Sequence, residues 1–250
     1  MFCEMIDDAF LVSMSGTSEG TQIKYYKDGY WCKKDSFGGE AAAEYLSSRL
    51  LTFSDLSAGD YVTYECGNLN GASACRSRNF LQEGESFITL YRFYQLSEGR
   101  KINEDLLRYE TPEKRADFVL TYFSKNCALD LSDYFSRIFT LDLIILNEDR
   151  HFNNLGLIST ENGTYRSAPI FDNGKSLLVG NLSVNRRLPL DENIKRVTAR
   201  PFSGSHRKNM ELFGKGFTLD KEKAIAWLTS EPDSYEKSVL LYQLEHLDIF

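Results

Sequence analysis

The chain has 250 residues, with 36 Asp plus Glu against 29 Lys plus Arg and a formal charge of -7. Apolar residues make up 42%, aromatic residues 13% and charged residues 26%, which excludes a disordered tail, a collagen and a mucin-like stalk. At roughly 100–200 residues per domain the length allows one domain or two intimate lobes, and the acidic balance argues against a direct nucleic-acid binder, which needs a basic surface for phosphates.

Residues 9–14 form an apolar-rich run that ends at Ser15-Gly16. Residues 21–27 and 30–33 flank Asp28-Gly29 and read as a β-hairpin with a two-residue turn. Gly38-Gly39 opens a predicted helix over 40–51, where Ala, Leu and Glu replace β-branched residues. Three more strands are predicted over 61–66, 74–80 and 87–94, rich in aromatic and β-branched residues and separated by Gly/Asn clusters.

Beyond Gly99 the period becomes helical. Thr111-Pro112 reads as an N-cap followed by proline at the first helical position. Ser132-Asp133 starts another helix, which runs into Leu143-Ile144-Ile145-Leu146 and is apolar nearly all round, hence buried. Residues 220–250 hold two more helices, interrupted at Glu231-Pro232. The expected fold class is α+β, with a β-rich first lobe over 1–97 and a helical second lobe over 98–250.

The five cysteines are odd in number and none sit at C-x-x-C spacing, so free thiols are expected rather than a disulfide scaffold or a zinc site. The start, Met-Phe-Cys-Glu-Met-Ile-Asp-Asp, carries acids where a signal peptide carries Lys or Arg. The longest purely apolar run is Ala224 to Leu228, far below the ~20 residues that span a bilayer. A cytoplasmic protein with no membrane association is expected.

The informative stretch follows the buried helix: Asn147-Glu148-Asp149-Arg150-His151-Phe152-Asn153-Asn154. Such a polar cluster is poor core material, because each member needs hydrogen-bond partners when buried. Residues 155–159 and 164–171 then form a predicted hairpin about Asn162-Gly163. Its outer ends place Asn154 and Asp172 side by side, although they are 18 residues apart. One carboxylate and one amide oxygen make a hard site suited to Mg2+, which keeps waters and adds substrate phosphates. Asp149, at the loop entrance, is placed to accept or orient a proton from an attacking hydroxyl. Taken singly, these Asp and Asn residues are ordinary turn chemistry; the two segments together point to phosphoryl transfer.

Asp149-Arg150-His151-Phe152-Asn153-Asn154, followed by Ala168-Pro169-Ile170-Phe171-Asp172-Asn173-Gly174-Lys175-Ser176-Leu177, resembles the catalytic and metal-binding segments of HipA-like kinases. That family has a two-lobed protein-kinase-like fold; its members are serine/threonine kinases, several of them toxins of toxin–antitoxin pairs. The resemblance implies ATP and Mg2+ as cofactors, Asp149 as the catalytic aspartate, and Asn154 and Asp172 as magnesium ligands. It implies a protein substrate with a Ser or Thr acceptor, and a small DNA-binding antitoxin as partner. In the first lobe, Tyr30-Trp31-Cys32-Lys33 resembles the strand that presents the ATP-phosphate lysine, and Glu44 the glutamate that pairs with it. Lys33 is taken as the inward residue in preference to Lys34, and Glu44 competes with Glu40. Gly16, Thr17 and Ser18 lie where a phosphate-covering loop belongs, and Tyr91 and Phe93 are the expected hinge against the adenine. His151 is expected to be structural, hydrogen-bonded within its loop. Lys24, Arg76, Arg78, Arg150 and Lys175 are read as surface charges that add to the field at the phosphates. The resemblance spans about residues 10–205 and describes a short form without the family's N-terminal subdomain. A lipid or small-molecule kinase of the same fold and a catalytically silent binding module are the alternatives.

Overall fold

Asp28 and Gly29 turn the chain at φ 50° and 79°, the left-handed pair that a tight hairpin needs. The fold was obtained as a computed structural model, in which residues 1–12 and 22–249 are described. The expected phosphate-loop residues Gly16, Thr17 and Ser18 lie outside the described residues. In chain order the first elements are β1 (Phe2–Glu4), β2 (Lys24–Lys27), β3 (Tyr30–Lys34), α1 (Glu40–Leu50), β4 (Glu65–Leu69) and β5 (Ala72–Arg78). Among the described residues these strands form one five-stranded sheet in the order β1-β4-β5-β3-β2. All its pairings are antiparallel except β1 with β4, where Phe2 lies opposite Gly67. Side chains alternate across the sheet. Cys32 therefore joins Phe2, Ile6, Tyr25, Leu69 and Ala74 in a small core on one face, while Trp31 and Lys33 point to the other.

The strand expected over 61–66 lies further on, at β4. Val62 N–H donates to the Ile170 carbonyl at 2.9 Å and Ile170 N–H to the Asp60 carbonyl at 2.8 Å, so this segment bonds to the second half of the chain instead. β1 was not expected at all. Its backbone lies so close to β4 that a Cβ at Gly67 would meet the Phe2 carbonyl at 2.3 Å.

The remaining elements are β6 (Ser86–Thr89), α2 (Leu90–Glu98), α3 (Ile102–Leu106), α4 (Pro112–Cys127), α5 (Ser132–Ile145), β7 (Gly156–Ser159), β8 (Tyr165–Ser167), α6 (Leu190–Ile194), α7 (His206–Phe213), α8 (Lys221–Ser230) and α9 (Tyr235–His246). The strand predicted over 87–94 ends at Thr89, whose hydroxyl accepts from the Arg92 N–H at 3.0 Å and caps α2. β6 pairs with β7, and β7 with β8, in a second sheet. Thus β6, and α2 that follows it, pack with the second half of the chain. α5 is buried nearly all round, as its composition predicts, and its Phe135 and Phe139 pack with Phe202 and Phe213. No helix among the described residues is long and apolar enough to cross a membrane.

Candidate active site

Lys33 sits on β3 opposite Lys24 on one side and Cys75 on the other. Its ammonium donates to Glu44 Oε1 at 2.7 Å and to Asp172 Oδ1 at 2.6 Å. Lys33 is only 8% exposed, so it is the inward member of the Lys33-Lys34 pair. Glu44, not Glu40, is its partner. Glu40 instead turns back to accept from the Ser36 and Phe37 N–H groups at the start of α1.

Glu44 uses both oxygens. Oε2 accepts from the Asn173 N–H at 2.7 Å, so one carboxylate holds the sheet lysine and the segment beside Asp172 together. Asp172 adopts φ 61°, a left-handed conformation that Asp tolerates better than most residues. Its side chain is 23% accessible. Burial pushes the Asp172 carboxyl up, but the Lys33 ammonium, with Lys24 and Arg150 beyond it, outweighs burial and holds it well below the usual carboxylate range. Burial opposes the charge on Lys33, and Asp172 and Glu44 more than restore it. Glu44 goes the other way: burial raises its carboxyl above the ordinary value against the pull of Lys33.

The loop after α5 is built on Asn154, which is nearly buried. Its Oδ1 accepts from the His151 N–H at 2.9 Å and its Nδ2 donates to the Asp149 carbonyl at 2.7 Å. The amide oxygen keeps a second lone pair. Asp149 is 44% accessible at its side chain. The His151 ring does not make the loop hydrogen bond expected of it: Nε2 stands 3.8 Å from Asp149 Oδ2 and Nδ1 is buried without a partner.

Arg150 is the largest departure from expectation among the basic residues. It is no surface charge: it is 0% exposed. Its guanidinium binds Asp142 of α5 at 2.9 and 3.0 Å, the Phe171 carbonyl at 2.9 Å and Asn173 Oδ1 at 2.6 Å. Arg150 therefore ties the Asp149–Asn154 loop to the two residues that flank Asp172. The sequence reading names Arg150 only as a surface charge and gives no role to Asp142 or Asn173. Arg150 and Asn173 lie inside the two polar motifs, whereas Asp142 sits within the apolar α5.

A cavity of about 420 Å³ opens in front of this cluster. Its walls are apolar, from Trp31, Val62, Phe80, Leu81, Phe87 and Phe171, and its charged end holds Lys24, Lys33 and Asp172. An apolar pocket with few convergent polar groups suits a base and its phosphates. A larger cavity of about 520 Å³ shares Val62, Asn79, Phe80 and Glu85 with it but lacks the charged cluster. Tyr91 and Phe93 are not on the cavity wall. Both belong to α2: the Tyr91 N–H donates to the Phe152 carbonyl, and the Phe93 ring packs on Phe123 and Tyr165. The segment facing the cavity is Phe80–Phe87, earlier in the chain.

Among the described residues no three His, Cys, Asp or Glu side chains cluster as metal ligands; a magnesium site completed by water and phosphate does not require them. No family model and no curated protein sequence matches the chain. Solved structures do. The HipA–HipB toxin–antitoxin complex with operator DNA from Shewanella oneidensis MR-1 is similar over 96% of this chain and 66% of the matched chain, at 11% identity and a TM-score of 0.46, too distant to bear an argument. The proinflammatory kinase CtkA of Helicobacter pylori is similar over 98% of this chain and 91% of that one, at 16% identity and a TM-score of 0.64. The chain has a two-lobed, kinase-like α+β fold, β-rich first and helical second.

Proposed function

We propose that the chain is a HipA-like kinase that transfers the γ-phosphoryl group of Mg-ATP to a Ser or Thr hydroxyl of a protein. The observation that carries this reading is Lys33, bound to both Glu44 and Asp172 at the charged end of an apolar cavity. Lys33 and Lys24 offer cations to the phosphates, and the apolar walls receive the base. Magnesium fits the donor set: Asp172 stays ionised, and Asn154 keeps an oxygen lone pair. Asp172 and Asn154 would hold the ion, which neutralises phosphate charge when bound. Asp149 orients the acceptor hydroxyl and takes its proton as the new O–P bond forms and the bridging bond to ADP breaks. A small DNA-binding antitoxin partner belongs to the same proposal and rests on the sequence motifs alone.

Two variants test the roles. Asp172→Asn removes charge from the metal site, so calorimetry should show weaker Mg-ATP binding and labelled-phosphate transfer should fall with it. Asp149→Asn keeps shape; ATP affinity should hold while transfer falls by ~10² or more. Equal loss of ATP binding in both variants, or transfer retained by Asp149→Asn, would reject the assignment. Incubation with labelled ATP and cell lysate identifies the acceptor: a labelled lipid or small molecule displaces the protein-kinase reading, and ATP binding without any transfer leaves a binding module.

A further inference from the structure

We propose that Glu231 is a positioning residue, whose carboxylate clasps Tyr45 and thereby fixes the helix that carries Glu44. Glu231 Oε1 accepts from the Tyr45 hydroxyl at 2.9 Å and from Trp227 Nε1 at 2.7 Å. Tyr45 neighbours Glu44 on α1, and 186 residues separate it from Glu231. The role rests on the kinase reading of the Lys33–Glu44 pair.

The clasp is anchored at its own end. Glu231 stands at the corner between α8 and α9, and the buried Lys237 ammonium holds that corner. It donates to the carbonyls of Thr229 and Glu231 and to Asp233 Oδ1, which uses all three of its donors. The Trp227 ring is fixed by stacking on Phe53, with centroids 5.4 Å apart. α9 also meets the first residues of α1: a Cβ at Gly39 would lie 2.8 Å from Glu236 Oε1. The last two helices thus reach back over the helix that serves the site.

On this side α1 packs through the Tyr45 ring, which meets Trp227 edge-on with centroids 6.5 Å apart, and next to that contact the packing is open. A cavity of about 320 Å³ lies between Tyr45, Ser48, Trp227, Glu231 and Tyr64. Beside this open cleft the hydrogen bond to the carboxylate adds a directional restraint to the ring contact, and such bonds are stronger than neutral ones. Tyr64 separates this void from the nucleotide cavity, with its ring centroid 5.3 Å from Lys33 Nζ. A slide of α1 by an ångström would break both 2.7 Å bonds made by Glu44.

The test has two arms on the full chain. Without nucleotide, amide hydrogen exchange across 42–48 should speed up ~10-fold or more in Tyr45→Phe and Glu231→Ala, the equivalent of one hydrogen bond to a charged group. Glu231→Gln keeps an acceptor and should restore most of the protection. With Mg-ATP, Tyr45→Phe should weaken binding by a similar factor, and by less than about twofold when Glu44→Gln is already present, since coupled residues are non-additive. Unchanged exchange in α1, faster exchange spread evenly over the molecule, or an equal loss of affinity in the Glu44→Gln background would overturn the clasp. A wild-type chain that binds no Mg-ATP would reject the kinase reading; the exchange arm still decides whether Glu231 positions α1.

Discussion

Arg150 shows how much one buried side chain can organise. Its five N–H donors meet Asp142, a backbone carbonyl and Asn173, three partners in a fork that lysine cannot copy. Arg150→Met would leave Asp142 buried and unpaired, at about 3–5 kcal/mol of stability. Arg150→Lys should fall between that and wild type in urea unfolding. Lys33 leads to a prediction in pH. Asp172 has a depressed carboxyl, so its contribution to stability is present above the unfolded value of about 3.9 and lost as pH falls through the folded one. Glu44, with a raised carboxyl, favours the folded state in acid instead, and losing Lys33 raises it further. Both effects have one sign for Lys33→Met. The stability gap to wild type should be widest near pH 7 and close below about pH 4; a gap that stays constant from pH 3 to 7 would contradict the ion cluster. Asp172 drew notice through the hairpin that sets it beside Asn154, while Lys33 and Glu44 were named through the resemblance of their segments to a kinase strand and helix. The role of Arg150 was not legible, because a charged residue gives no local sign of being buried, and its partners arrive from α5 and from beyond β8.

At the scale of elements, legibility followed local chemistry. The Asp28-Gly29 hairpin, α1, α4 behind Thr111-Pro112 and the apolar α5 all stand close to where turn residues, caps and periodicity put them. The errors occurred where tertiary pairing decides. Residues 87–94 carry strand-like aromatics throughout, yet Thr89 caps and converts the chain to α2, leaving Tyr91 and Phe93 off the wall of the cavity beside Lys33. Thr89→Ala should remove about 1 kcal/mol, lowering Tm by about 2–4 °C for a chain of this size. Thr89→Ser should stay near wild type in the same thermal scan. β1 escaped notice for a different reason: three residues whose partner lies about sixty-five positions away leave no periodic signature.

Across the whole molecule, the two halves share one apolar core, which Ala43, Leu46 and Leu50 of α1 enter, and the bonds that join them include Lys33 to Asp172, Glu44 to Asn173, Val62 and Asp60 to Ile170, and Tyr45 to Glu231. The net charge of -7 repels anions at long range, so an anionic ligand would depend on the cations gathered inside. The close approach of β1 to Gly67 has a further consequence, for solubility. The first sheet has two borders. On β2 the chain before it covers the border: Leu11 bridges Tyr25, and the Val12 N–H donates to the Lys24 carbonyl at 2.9 Å. On the other side β1 lies over β4, and it is only three residues long. Any side chain at position 67 would collide with the Phe2 backbone. Gly67→Val should therefore lift β1 away and bare the ladder groups of β4, an open template for another copy. Light scattering should then rise with protein concentration in Gly67→Val and stay flat in wild type. A Gly67→Val chain that remains monomeric at high concentration would mean that β1 is not the cover that keeps this border closed.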